Sequence, residues 1–272
     1  MGDPSYLHRG LIGAAGLLLF FALTTFAQET SPESSRGWSG GFPEDWKGQW
    51  PLLKGIDFGE ENLSVLHGAV GDPAYYLRVK YPRGSWSPKA TREAGLPVGG
   101  VQFYSPVCGT GVDEATLSYS LRFSNQFPFG KGGKLPGLYG GKGNTGGKIP
   151  NGTDGFSTRF MWVQNGAGVI YPYLPTSVRV GSTFGRGTFY FKPGIWHRLE
   201  QHVRLNTPGS DNGEIDVVLD GKPVFQQAGL RFRDVSSLKI NGILFSTFFG
   251  GADESWAAAS DCFIDFADFT VR

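Results

Sequence analysis

Charge is scarce in this chain, and neither sign dominates. Charged residues make up 18% of the 272, below the usual quarter. Lys and Arg number 25 against 24 Asp and Glu, a formal net charge of +1. Such a chain carries no global basic field. That argues against a nucleic-acid binder and leaves any affinity for a polyanion to a local patch. Helical periodicity is also missing, which argues against a helical bundle or a coiled coil. Gly and Pro, 42 and 17 residues, stop short of the share at which disorder becomes the default. Only two cysteines occur, and no second long apolar run follows the one that ends at Phe26. The body of the chain is expected to be soluble.

The N-terminus reads as an export signal. Arg9 precedes the apolar run Leu11–Phe26, and Thr25-Phe26-Ala27 is an acceptable cleavage site. Residues 1–27 are expected to be a signal peptide, 28–41 a flexible Ser-rich lead-in, and 42–272 one extracellular domain. No membrane contact is expected after processing, and the protein is expected to be a monomer. In an oxidising compartment Cys108 and Cys262 are expected to form one disulfide, tying an early strand to the last one. Asn62 and Asn151 each open an Asn-x-Ser/Thr sequon and are candidate glycosylation sites.

What the chain has in abundance is glycine and aromatic side chains, the latter 14% of residues with 22 Phe, arranged in short alternating runs. Leu77, Val79 and Tyr81 alternate with Arg78 and Lys80. Leu117, Tyr119, Leu121 and Phe123 alternate with Ser118, Ser120 and Arg122. Period two in short runs predicts an all-β fold: a single-domain antiparallel β-sandwich, or β-jelly roll, of the concanavalin A-like kind. The concave sheet of such a sandwich is a natural groove for an extended polymer.

The most informative hairpin spans Phe156–Leu174. Phe156, Phe160, Trp162, Ile170 and Leu174 form an even-numbered apolar set, so paired residue numbers must sum to an even value. A loop centred on Gly166 does this. It predicts Arg159 opposite Tyr173 and Met161 opposite Tyr171, with Ser157, Arg159, Tyr171 and Tyr173 on one polar face. The same alternation assigns Arg78, Lys80, Arg122 and Gln102 to that face as candidate substrate-binding residues. Lys134 lies in the Gly-rich segment Gly130–Gly141, expected to be a loop. Phosphate cradling is discarded there, because no Gly-Lys-Ser/Thr follows and no helix begins.

Three segments carry a resemblance: Gly133–Gly141 with Lys134, Gly155–Trp162 with Ser157 and Arg159, and Tyr171–Pro175 with Tyr173. Together with Leu77–Ser85, Gly100–Phe103 and Leu244–Gly251, they resemble polysaccharide lyase family 14 over roughly Trp50 to the C-terminus. The resemblance implies a β-jelly roll that depolymerises an acidic polysaccharide such as alginate or glucuronan. It also implies that Lys134, Ser157, Arg159, Tyr171 and Tyr173 match the family's catalytic lysine, Ser-x-Arg and Tyr-x-Tyr positions.

The chemistry explains the set. β-Elimination removes the C5 proton beside a carboxylate and expels the O4 group, so the carboxylate must be neutralised by Lys or Arg. A base and an acid must stand near the two reacting atoms. Tyr171 and Tyr173 are favoured for proton transfer, with Arg159 and Ser157 orienting. Lys134 is either base or carboxylate clamp. Two rivals remain open at this point. Glu214-Ile-Asp216 resembles part of a sandwich glycosidase motif, but Val218 replaces its second carboxylate. A non-catalytic lectin would stack sugars on Trp38, Trp46, Trp50, Trp86 or Trp256. His67, His197 and His202 show no metal spacing, so neither a required metal nor a cofactor is expected.

Overall fold

The computed structural model describes residues 37–272. The expected signal peptide over 1–27, and the lead-in as far as residue 36, lie outside them. Alternation yields β1 (Trp38–Gly40), β2 (Leu53–Phe58), β3 (Leu63–His67) and β4 (Tyr75–Tyr81), then a short helix, α1 (Pro88–Glu93). β5 (Val101–Ser105), β6 (Glu114–Phe123), β7 (Gly132–Leu135), β8 (Gly137–Gly141), β9 (Gly155–Val163) and β10 (Gly168–Tyr173) follow. β11 (His197–Arg204), β12 (Gly213–Leu219), β13 (Lys222–Leu230), β14 (Ile240–Phe249) and β15 (Cys262–Val271) complete the chain. β1 pairs with β15, so the far end of the expected flexible lead-in is a strand of the domain.

Two antiparallel sheets result. The outer sheet runs β13-β12-β11-β6-β15-β4-β3, with β1 on β15. The groove sheet runs β10-β9-β7-β14-β5-β2, and β8 continues β7 between β9 and β14 after a break at Pro136. Aromatic rings fill the space between them. Phe103 stacks on Phe245 and Tyr119 on Phe269, each pair at 4.7 Å. Each such ring contributes on the order of 1.5–3 kcal/mol by leaving water. Polar ties also cross the core, among them Tyr119, whose hydroxyl donates to the Pro136 carbonyl at 3.1 Å. Tyr81 and Thr247 share a hydroxyl contact of 2.5 Å, and Gln201 donates to the Thr158 carbonyl while accepting from its hydroxyl, both at 2.7 Å.

The β9–β10 hairpin keeps the expected faces and changes the expected partners. Phe156, Phe160, Trp162, Ile170 and Leu174 are all sealed in the core. Arg159 pairs with Tyr171, Ser157 with Tyr173 and Met161 with Val169, two residues away from the predicted register. The turn is centred on Asn165, not Gly166. Val163 N–H donates to the Ala167 carbonyl at 2.8 Å, while Asn165 (φ 59°) and Gly166 (φ 77°) take successive left-handed conformations. Asn tolerates that region better than most residues, so the loop closes earlier. Both registers have even parity, which is all that apolar alternation specifies.

The expected disulfide is not formed. Cys108 and Cys262 are free thiols at opposite ends of the sandwich. Cys108 N–H bonds to Asn241 near the start of β6, whereas Cys262 begins β15, where Ile264 pairs with Phe123 at the end of β6. The ten residues of β6 separate the two ends by about 30 Å, far beyond bridging distance. Burial pushes the thiols up to about 11 for Cys108 and about 12 for Cys262. Asn62 is no exposed glycan acceptor either: it is buried, and its amide donates to the carbonyls of Val98 and Gly100. Asn151 is exposed.

Candidate active site

Lys134 lies on a central strand, β7, where a loop was expected. Its neighbours explain the local glycines. A Cβ on Gly133 would fall 2.1 Å from the Trp162 ring, so only glycine lets β7 lie flat over that core side chain. With Leu135 turned into the core, Lys134 points to the other face, between Met161 on β9 and Phe248 on β14. Lys134 Nζ lies 3.1 Å from Met161 Sδ and 4.3 Å from the centre of the Tyr171 ring.

Arg159 is 2% exposed, and no carboxylate touches it. Its Nη1 donates to Ser246 Oγ at 3.1 Å, while its buried Nε has no partner. Ser246 Oγ donates in turn to Gln102 Oε1 at 2.8 Å, and Gln102 Nε2 donates to Asp57 Oδ2 at 3.0 Å. The nearest acid on this relay is therefore separated from the guanidinium by two neutral side chains. Tyr173 accepts the Gly147 N–H at 3.1 Å, and Ser157, fully buried, donates to the Asn144 carbonyl at 2.7 Å. These two bonds tie the loop 142–154 down beside the tyrosines.

Electrostatics follow from this burial. Desolvation, reinforced by the neighbouring Arg159 charge, holds the Lys134 ammonium well below the usual lysine range. Burial, with Tyr173 beside it, raises the Tyr171 phenol. Near neutral pH Tyr171 keeps its phenolic proton, and the buried Lys134 ammonium gives up its proton more readily than an exposed lysine does.

A cleft of about 650 Å³ opens over these residues. Lys134, Arg159, Met161, Tyr171 and Tyr173 lie on its floor, with Phe248 and Trp256 also lining it. Lys89 of α1, Arg179 and Arg186 bring further positive charge, and no Asp or Glu is among its lining residues. The five residues matched by resemblance thus converge: four face the cleft, and Ser157 supports it from beneath a loop. Gln102 also lines the cleft.

Arg78, Lys80 and Arg122 do not join them. They project from β4 and β6 of the outer sheet, which corrects the expectation of one shared cationic face. Arg78 Nε meets Asp265 at 2.8 Å, and Arg122 bridges Asp265 and Asp72 at 3.0 Å each. Alternation tells which residues share a face of one sheet. It does not tell which sheet.

The same topology removes the glycosidase rival, because Glu214 and Asp216 sit on β12 of the outer sheet, paired with Arg204 and His202. Of the tryptophans, Trp46, Trp50 and Trp86 are core, Trp38 packs edge-on against Trp50, and Trp256 reaches the cleft. Ser246, Asp57, Arg179 and Arg186 were missed as site residues. Ser246 was open to inference from its place beside inward-facing Phe245, but nothing local marks β14 as a neighbour of β5.

Comparison with known proteins agrees with this geometry. Residues 71–269 match the family model described as Polysaccharide lyase 14. The PL-14 alginate lyase from Aplysia kurodai is 31% identical and superposes with a TM-score of 0.74, over 86% of this chain and 98% of that one. The alginate lyase vAL-1 from Chlorella virus is 23% identical, with a TM-score of 0.69 over 83% and 93% of the two chains. The endo-β-1,4-glucuronan lyase from the fungus Trichoderma reesei is 14% identical, with a TM-score of 0.52 over 82% and 92%. At these lower identities the likeness shows the fold alone. No curated protein sequence matches. The family match spans most of the domain and the Aplysia enzyme aligns over nearly its whole length, so the chain belongs to polysaccharide lyase family 14 and is a polysaccharide lyase.

Proposed function

We propose that the protein cleaves uronate-containing polysaccharides of the alginate or glucuronan type by β-elimination, leaving an unsaturated uronate at the new chain end. The observation that carries this reading is the buried pair Lys134 and Arg159 in a cleft lined by no carboxylate. A desolvated guanidinium without an internal counter-ion, beside a buried amine, favours an anionic ligand.

Arg159, with its unpartnered Nε, receives the uronate carboxylate and stabilises the charge that develops as C5 loses its proton. Lys134 Nζ, as an amine, takes that proton. The C5–H electron pair becomes the C4=C5 bond, the C4–O4 bond breaks, and O4 takes the Tyr171 phenolic proton. Tyr171 is therefore the acid and Lys134 the base, a division that the raised phenol and the lowered amine both support. Tyr173 and Ser157 position the floor and its loop. Base and acid reach up from one floor, which favours removal of H5 and O4 from the same side of the ring. Mannuronate and glucuronate carry these on one side, guluronate on opposite sides.

The test is absorbance of the new C4=C5 bond on polymannuronate, polyglucuronate and polyguluronate. The first two should react faster, and no unsaturated product from any of them overturns the reading. Export is proposed on residues 1–27 alone; a secreted product that begins at Gln28 is the expected outcome of N-terminal sequencing.

A further inference from the structure

Among the described residues, Lys134 Nζ has one hydrogen-bond partner, and it is a sulfur. Met161 is the direct cross-strand partner of Lys134, with Sδ 3.1 Å from Nζ. The two side chains are nearly sealed, at 5% and 8% exposed. Met161 belongs to a small apolar cluster on the groove side, with Val163, Ala167 and Val169, against which Tyr171 and Trp256 pack. The titratable groups that face Lys134 are Arg159 from β9 and Tyr171 and Tyr173 from β10, with Lys89, Arg179 and Arg186 along the cleft.

We propose that Met161 is a positioning residue for the lyase reaction, its thioether holding the Lys134 nitrogen in place through an acceptor too weak to keep a proton there. The inference rests on Lys134 being the base. An ammonium carries three donors and is stabilised by oxygen acceptors, most of all by charged ones. A thioether is a weak acceptor with a polarisable, apolar body. It orients the amine and leaves the effects of burial and of Arg159 unopposed. An amide oxygen in its place would favour the ammonium, whereas a leucine would fill the volume and leave the nitrogen unheld.

A chemical consequence follows, because Met161 is the one methionine among the described residues. A hydroperoxide transfers an oxygen atom to the sulfur. Sulfur loses two electrons, hydrogen peroxide is reduced to water, and the sulfoxide sets a strong oxygen acceptor beside Nζ.

Labelling of Lys134 by acetic anhydride across pH, read by mass spectrometry, follows the amine without any substrate. On the whole protein, Met161→Gln should move the Lys134 titration upward by about one pH unit, a tenfold loss of amine at fixed pH. The acid limb of the elimination rate should move with it. Met161→Leu should leave the titration in place and lower kcat by about three- to tenfold through poorer orientation. Peroxide-treated wild type, folded before oxidation, should behave as Met161→Gln does and recover with methionine sulfoxide reductase, while peroxide leaves Met161→Leu unchanged. A Lys134 titration that stays put in both Met161→Gln and the oxidised protein overturns the proposal. A shifted titration without cleavage of any polyuronate upholds it and overturns the functional reading instead.

Discussion

Arg159 on the groove sheet and the pair Arg78 and Arg122 on the outer sheet look alike along the chain, each an arginine set between two inward-facing residues, Thr158 and Phe160, Leu77 and Val79, or Leu121 and Phe123. Their surroundings differ in one respect. On the outer sheet Asp265, wholly buried, accepts from both guanidiniums, and Asp72 takes a further bond from Arg122. Aromatic faces finish the job, with Phe263 3.5 Å from Arg78 and Trp196 4.5 Å from Arg122. On the groove sheet Arg159 has a serine hydroxyl, an unpartnered Nε and a buried lysine for company. The first arrangement is satisfied and structural. The second is left unsatisfied, and in the proposed function an incoming carboxylate completes it.

The contrast is open to direct attack. The largest effect is expected from Lys134→Ala, which should lower the elimination rate by about a hundredfold or more at equal folded concentration. Lys134→Arg should recover little of it, since a guanidinium does not release its proton near neutral pH. Next comes Ser246→Asp, which gives Arg159 the internal carboxylate that Arg78 and Arg122 already have. Initial rates should fall by about ten- to a hundredfold while thermal stability holds, because the buried charge is now paired. Retained activity would show that the empty side of Arg159 is not where substrate docks.

The mirror experiment is Asp265→Asn. Removing the shared anion should destabilise the fold by about 2–3 kcal/mol, somewhat below the loss for fully buried pairs because both arginines keep some contact with water. A thermal midpoint lower by about 5–10 °C is the expected reading, with unchanged turnover per folded molecule.

The smallest effect concerns His202, between Glu114 at 2.8 Å and Asp216 at 3.1 Å on the outer sheet. Burial alone would lower this imidazole, but the two carboxylates outweigh it and raise its pKa. Such a group stabilises the fold fully below the unfolded histidine value, and the contribution disappears as pH rises through the folded one. Solvent screening keeps the contribution within about 1 kcal/mol. His202→Gln should flatten the dependence of the unfolding midpoint on pH across that window, with no change in lyase rate.

How much of this was legible can be judged at single residues. Even-numbered Phe156, Phe160 and Trp162 turned inward as their alternation required, and Lys134, Arg159, Tyr171 and Tyr173 met in one cleft as the resemblance implied. The pairing of Arg159 with Tyr171 was not legible, since parity allows either register and the left-handed pair Asn165-Gly166 decides between them. Nor was the separation of Cys108 from Cys262, which depends on the length of β6.

Read alone, then, the chain determined the β period, the inward and outward sets of strands such as β4, β6 and β9, and the kinds of side chain that the proposed elimination calls for. These are consequences of a two-residue repeat and of functional groups, both written locally. Tertiary structure alone decided which strands became neighbours, and so which arginines found a carboxylate. Strand order is settled by contacts between segments distant in sequence, such as Arg122 with Asp265 or Arg159 with Ser246, and no local pattern carries that choice.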